Sequence, residues 1–158
     1  MAGTARRVTA KVAAMRPVKR ALAVGLRLLI AFILLTTGAA KLLDMDGFEA
    51  IVATYRAVPD VLLAPAAWIV ACGELALAAW LISGIRPPLA ALASGALHAF
   101  YIAWAAIALA RGLPIKNCGC FGVFWGRPLA LTTLLEDAAL VALSLLLAHL
   151  TAGTKARR

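Results

Sequence analysis

An all-α integral membrane four-helix bundle is the fold this sequence predicts, and three observations predict it. Apolar residues make up 64% of the 158 residues, charged residues only 15%, and the mean hydropathy is +0.94, a profile foreign to soluble domains. Charge-poor stretches cover residues 21–43, 62–83, 88–110 and 129–150, and each reaches the roughly 20 residues a helix needs to cross the hydrocarbon core. These stretches are apolar all round rather than at every second position, so helices, not barrel strands, satisfy the backbone inside lipid. The chain then divides into a basic leader (residues 1–20), one four-span domain (21–150) and a basic tail (151–158), with no internal repeat.

Taken in order, the leader is polar and basic and is expected to fray or lie on the membrane surface. Residues 21–43 exceed the apolar core of about 7–15 residues that a cleaved signal peptide carries, so they read as span one. The pair Arg6-Arg7 has no apolar core close behind it and reads as a basic flank. Gly38 lies near the end of this span, where a missing side chain permits close helix contact. Phe48, Ile51, Val52 and Tyr55 recur at helical spacing within residues 46–57, which predicts a short amphipathic helix at the outer interface. Pro59 and Pro65 turn the chain back into span two. The connection Ser83-Gly84-Ile85-Arg86-Pro87-Pro88 is short enough to make spans two and three antiparallel neighbours. Glu136 and Asp137 fall about one turn into span four, where they complement the helix dipole or face Lys41 or Arg111 beneath the preceding loop.

Positive charge sets the expected orientation. Six of the sixteen Lys and Arg residues precede span one (Arg6, Arg7, Lys11, Arg16, Lys19, Arg20), Arg86 lies between spans two and three, and Lys155, Arg157 and Arg158 end the chain. These segments are expected to be cytoplasmic, in a bacterial inner membrane. The loop after span one carries Asp44, Asp46, Glu49 and Asp60 against Lys41 and Arg56. That net acidic loop is expected outside, as is the loop between spans three and four. The net charge of +9 flanks membrane segments without the aromatic interleaving of a nucleic-acid surface, so anionic lipid is the expected partner of the tails and nucleic acid is not.

That second outer loop holds Lys116-Asn117-Cys118-Gly119-Cys120-Phe121-Gly122. Two thiols one residue apart outside the cytoplasm form a disulfide, a transient redox couple or a soft-metal site. A bond between Cys118 and Cys120 closes a very small ring, which makes it labile and exchange-competent. Gly119 and Gly122 leave the sulfurs accessible, and Lys116 would favour the thiolate. The plainer readings are a static loop staple or idle thiols; a metal site needs further ligands, and the outer loops offer no histidine. The third cysteine, Cys72, lies about 15 Å deep in span two and reads as small apolar packing.

Within the spans, Glu74, His98 and Arg27 are ionisable groups at depths that match, and together with Lys41 they form the expected buried polar cluster. Such a cluster either holds the bundle together or moves protons, the latter making Glu74 and His98 catalytic candidates. Tyr101 and Trp104, one turn beyond His98, either pack or line a pocket for a flat ring.

Several of these elements together resemble a known family. They are Gly38-Ala39-Ala40-Lys41-Leu42-Leu43-Asp44, Gly47-Phe48, Tyr55, Gly73-Glu74-Leu75 and, the most specific, Cys118-Gly119-Cys120-Phe121-Gly122. The chain resembles, over residues 25–150, the MauE family of methylamine utilisation, within the wider DoxX-like group. The resemblance implies oxidative maturation of an extracytoplasmic protein, as in disulfide formation or transport of the methylamine dehydrogenase small subunit. It also implies a separate periplasmic partner, either thioredoxin-like or disulfide-rich, since the 158 residues contain no thioredoxin-like domain.

Three function classes follow. The leading one is a membrane thiol-disulfide redox protein acting through Cys118 and Cys120, for which a membrane quinone is the natural electron acceptor. The second is a non-enzymatic assembly factor or chaperone in which the cysteines fix the loop, and serine replacements separate it from the first. The third is a transporter of a small molecule or soft metal; three Met and two His argue weakly against the metal. A monomer and a helix-mediated oligomer fit the sequence equally.

Overall fold

The computed structural model describes the backbone of residues 2–152 and the side chains of residues 17–152. The side chains of Arg6, Arg7, Lys11 and Arg16 and the terminal Lys155, Arg157 and Arg158 fall outside that range. Regular structure consists of α1 (Ala2–Leu43), α2 (Met45–Thr54), a 3-10 turn (Asp60–Leu62), α3 (Leu63–Ser83), α4 (Pro87–Ala110) and α5 (Leu131–Ala152), with no strand among the described residues. Four stretches, Pro17–Leu43, Asp60–Ser83, Pro87–Ala110 and Leu131–Ala152, are long and apolar enough to cross a membrane. The chain is a multi-pass membrane protein whose large apolar side chains, such as Phe32, Ile69 and Phe100, face outward, as lipid rather than water requires.

Span one differs from expectation at its start. The leader is helical from Ala2 and runs unbroken into the apolar stretch, because its alanine, arginine and lysine content favours helix once a span anchors it.

Helix pairs form where small residues allow close approach. Gly38 of α1 meets α3: a Cβ there would lie 3.0 Å from the Leu75 side chain and 3.1 Å from the Ala71 carbonyl. On α4, Ala90, Ala91, Ser94, Gly95, Ala105 and Ala108 are buried along the face that packs on α5. Ser144 Oγ lies 3.3 Å from Ser94 Oγ across this seam, the small-residue packing expected of helices in lipid. A buried apolar layer of Leu26, Ile30, Leu34, Leu77, Leu81 and Leu147 closes the lower bundle near the α3–α4 turn.

That turn is tight. Gly84 (φ 67°) and Arg86 (φ 47°) both take left-handed conformations, and the prolines at the first two positions of α4 have no amide hydrogen to lose. Although consecutive and antiparallel, α3 and α4 share far fewer contacts than either shares with its main partner, α1 or α5. They diverge from the turn towards the opposite end, and that splay makes room for the site.

The short helix α2 ends earlier than its apolar spacing predicts, because Arg56 takes φ 50°. It is capped by Asp44, whose Oδ1 accepts from Gly47 N at 2.9 Å. Phe48, Ile51 and Tyr55 are buried, so its apolar face turns onto the bundle as a lid instead of resting in the lipid interface. Arg111 holds the lid's end, donating from Nη1 to Tyr55 O at 3.1 Å and from Nη2 to Arg56 O at 3.2 Å, a cation where a helix presents unpaired carbonyls.

Candidate functional site

The loop between α4 and α5 is built to hold two sulfurs still. Its base is closed by Leu129 N donating to Ile115 O (3.0 Å) and Cys118 N donating to Arg127 O (2.9 Å). Asn117 braces the tip: its Oδ1 accepts from Gly119 N at 2.9 Å and its Nδ2 donates to Gly122 O at 3.1 Å. The tight path requires left-handed backbone at Gly119 (φ 78°) and Gly122 (φ 58°). At Gly122 a Cβ would also lie 3.1 Å from the Ala40 carbonyl. The loop is tied from below as well, with Tyr55 Oη donating to Cys118 O at 2.8 Å and Lys41 Nζ to Cys120 O at 2.9 Å.

This bracing leaves the Cys118 and Cys120 sulfurs 2.8 Å apart as free thiols. The two sites titrate together. The Cys118 thiol is pulled down to about 6, first by the hydrogen bond from the Cys120 thiol and further by Arg127, against the opposing effect of burial. Cys120 is pushed up, by holding the proton it shares with Cys118 and by burial. Cys118 is thus the more acidic of the two thiols, and Cys120 keeps its proton longer. Burial, and then the charge of the two cysteines, also push the Tyr55 phenol up, so it stays a hydrogen-bond donor.

Arg127 supplies the cation that Lys116 was expected to supply. Lys116 is exposed, whereas the Arg127 guanidinium stands near both sulfurs and favours their thiolate forms. Arg127 is in turn oriented by Glu136, through Nη1 to Oε1 at 2.7 Å and a second contact from Nη2 to Oε2. Glu136 therefore faces Arg127, not Lys41 or Arg111. A prediction follows for the Arg127→Gln variant. The pH at which Cys118 becomes half-reactive towards a maleimide is expected to rise from about 6 towards the ordinary thiol range, because the thiolate loses its cation. An unchanged pH profile would remove Arg127 from the site.

Beneath the thiols lies the buried polar cluster, with different partners from those expected. Lys41 Nζ contacts Glu74 at 2.8 Å (Oε2) and 3.0 Å (Oε1), and Tyr101 Oη donates to Glu74 Oε1 at 2.7 Å. Lys41 and Glu74 are 3% and 1% exposed, so neither charge has water to turn to. His98 stacks on Tyr101 with ring centroids 6.1 Å apart, and both of its ring nitrogens are buried without a hydrogen-bond partner.

Arg27 does not join the cluster. Its guanidinium lies beside Gly84 at the opposite end of α3. It sits fourteen residues from Lys41 on the same helix, about 21 Å along the axis, farther than its side chain can span. Cys72 also departs from expectation, being exposed on α3 rather than packed inside. The buried stripe of that helix runs through Ala67, Ala71, Glu74, Ala78 and Leu81, and Cys72 stands about 100° off it.

Between loop, lid and diverging helices is a cavity of about 1050 Å³. Cys118, Cys120 and Arg127 line it at one end, while Lys41, Glu74, His98, Tyr101 and Asp137 supply its other polar groups; Ile33, Leu34, Ile69, Leu77, Phe100 and Trp104 are among its apolar walls. Among the described residues, no group of three or more His, Cys, Asp or Glu side chains is placed to hold a metal ion.

The sequence reading missed Arg127, Asn117 and the Tyr55 hydroxyl as parts of the site. For Arg127 a signal existed: a basic residue just before span four, on the flank where the charge rule disfavours one. For Asn117 and Tyr55 there was none, since their roles depend on contacts made only after folding.

Comparison with known proteins bears on the same residues. The family model described as methylamine utilisation protein MauE matches residues 19–150, a range that includes the thiol loop, the Lys41–Glu74 pair and the lid. The methylamine utilization protein MauE of Paracoccus denitrificans is 29% identical over 123 residues, which is 78% of this chain. The match spans 66% of that protein, just under two thirds of its length. No solved structure matches. With a family match that covers nearly all of the membrane domain, the chain belongs to the MauE family of methylamine utilisation proteins.

Proposed function

We propose that this protein is a membrane thiol-disulfide exchanger that supports disulfide formation in an extracytoplasmic protein, with Cys118 and Cys120 as its reactive pair. The observation that carries the reading is the pair itself: two sulfurs 2.8 Å apart, with the Arg127 guanidinium near them, on a loop braced from three helices. An idle loop or a simple staple has no need of a cation aimed at its sulfurs.

In the exchange, a thiolate of the partner attacks one sulfur of the Cys118–Cys120 disulfide, forming a mixed disulfide and expelling the other cysteine as a thiolate. The partner's second thiolate then attacks the mixed disulfide. The partner leaves with a new disulfide, and Cys118 and Cys120 keep the two electrons and take up two protons. The more acidic thiol leaves faster, so Cys118 is the leaving group and Cys120 the sulfur attacked. The partner is a thioredoxin-like or disulfide-rich protein, and the family's link to methylamine utilisation makes an enzyme of that pathway the first candidate.

The proposed setting is a bacterial inner membrane, with both termini cytoplasmic and the thiol loop outside. In support, the sequence puts Arg6, Arg7, Lys11, Arg16, Lys19, Arg20, Arg27, Arg86, Lys155, Arg157 and Arg158 on the side of the termini and the α3–α4 turn, against Lys41, Arg56, Arg111, Lys116 and Arg127 on the side of the thiol loop.

A direct test mixes the purified, oxidised protein with a reduced thioredoxin-fold protein and counts free thiols on both. The expected result is one partner disulfide formed per Cys118–Cys120 pair reduced, and no transfer with the Cys118→Ser/Cys120→Ser double variant. Equal oxidation of the partner with and without the cysteines would reject the exchange.

A further inference from the structure

We propose that the cavity beneath the thiol loop binds a lipid-soluble quinone, which enters between α3 and α4 and takes the electrons that Cys118 and Cys120 collect. The inference rests on the exchange reading above and names the oxidant that the exchange requires.

Three observations carry it. The first is access from the bilayer. Ile69 of α3 and Phe100 of α4 both line the cavity and are 72% and 52% exposed, so they form its rim on the outer surface of the bundle, where the two helices diverge. A ligand that reaches this mouth comes from lipid, not from water. The second is size and wall chemistry. A volume of about 1050 Å³ lies just above the roughly 300–1,000 Å³ of small-molecule sites, enough for a ring and the first part of an apolar tail. Trp104 and Tyr101 offer flat faces to such a ring.

The third is unpaired hydrogen-bonding capacity. His98 and Thr133 line this cavity at 2% and 4% exposure, and His98 Nδ1, His98 Nε2 and Thr133 Oγ1 are buried without partners. Buried polar atoms left unsatisfied in a folded protein are rare and costly. A lipid acyl chain would leave them unsatisfied. A quinone carries carbonyl oxygens, which accept from the imidazole N–H and the threonine hydroxyl. Glu74 and Asp137, also on the cavity wall, are acceptors suited to the hydroxyls of the reduced ring.

The balance closes. The Cys118 and Cys120 dithiol gives up two electrons and two protons as the S–S bond forms, and the quinone takes up both to become the quinol. The quinol departs through the same mouth, and the disulfide is ready for the next partner.

Gly73 provides a test that spares the fold. It lines the cavity, and a Cβ built there meets no atom within 4 Å, so a side chain starts there in open space and Gly73→Phe is expected to narrow the cavity. The experiment uses the full chain in phospholipid nanodiscs, titrated with a decyl-chain benzoquinone, with quenching of tryptophan fluorescence as the readout. Saturable quenching is expected for the wild type, and it stays saturable, at whatever affinity, in Cys118→Ser/Cys120→Ser, which cannot exchange thiols. It is expected to be lost in Gly73→Phe and weakened about fivefold to tenfold in His98→Phe, the cost of one hydrogen bond. Quenching that does not saturate, or that survives Gly73→Phe unchanged, would mean that the quinone only dissolves in the lipid, and would overturn the proposal. Because binding is also read in the variant that lacks both loop cysteines, failure of the quinone site and failure of thiol exchange are separate results.

Discussion

Replacing Lys41 with Met is expected to destabilise the protein by about 3–5 kcal/mol, the usual cost of removing one partner from a buried ion pair. The reason is the isolation of Glu74. With 1% exposure and Tyr101 as its other hydrogen-bond donor, its carboxylate would be left without its cation inside the bundle. Lys41 also donates to Cys120 O, so its loss frees one side of the thiol loop. The double variant Lys41→Met/Glu74→Gln removes both charges and is expected to recover most of the stability. Thermal unfolding in one detergent, compared across the three proteins, checks both statements. A single variant as stable as the wild type would show that the pair bears little of the fold.

The second large effect is on function. The Cys118→Ser/Cys120→Ser double variant is expected to reduce oxidative maturation of the extracytoplasmic partner to the level seen without the protein. Serine is close to cysteine in size, and the braces of the loop run through Asn117, Gly119, Gly122, Tyr55 and Lys41 or through the backbone of Cys118 and Cys120. The variant should therefore fold, insert and accumulate normally, which a blot of membrane fractions shows. Maturation is read from the disulfide content of the partner. Substantial residual maturation would favour a non-enzymatic assembly factor in which the cysteines only shape the loop.

The spans were legible because hydropathy over a window of this length depends on composition alone. Residues 21–43, 62–83, 88–110 and 129–150 differ from the four spans of the structure by a few residues at their ends. The thiol pair was legible for a related reason: one intervening residue keeps two side chains close in any loop. Pairing between helices was not legible. Glu74 was matched to Arg27 and His98 by depth, but depth says nothing about which way a helix face turns, and each residue turns it by about 100°. The same ambiguity put Cys72 inside, although it faces outward. Lys41, close to the end of its helix, points inward to Glu74 and Cys120, where a lysine near a span end ordinarily reaches for the interface. The cavity was the least accessible feature. It arises from the splay of α3 from α4, two helices whose short connection alone predicts close packing.

The central claim, that Cys118 and Cys120 exchange with a partner's thiols, is tested most directly by trapping in intact cells. Cells are quenched with acid, free thiols are alkylated with a mass tag, and the wild type is compared with Cys118→Ser, Cys120→Ser and Cys72→Ser. The account predicts a mixed disulfide with an extracytoplasmic protein in Cys118→Ser and Cys120→Ser, formed when the remaining loop thiolate attacks a disulfide of the partner and kept because the second loop thiolate that would resolve it is gone, and a wild-type pattern for Cys72→Ser. Loop cysteines that stay fully reduced in the wild type, with no adduct in either loop variant, would contradict it.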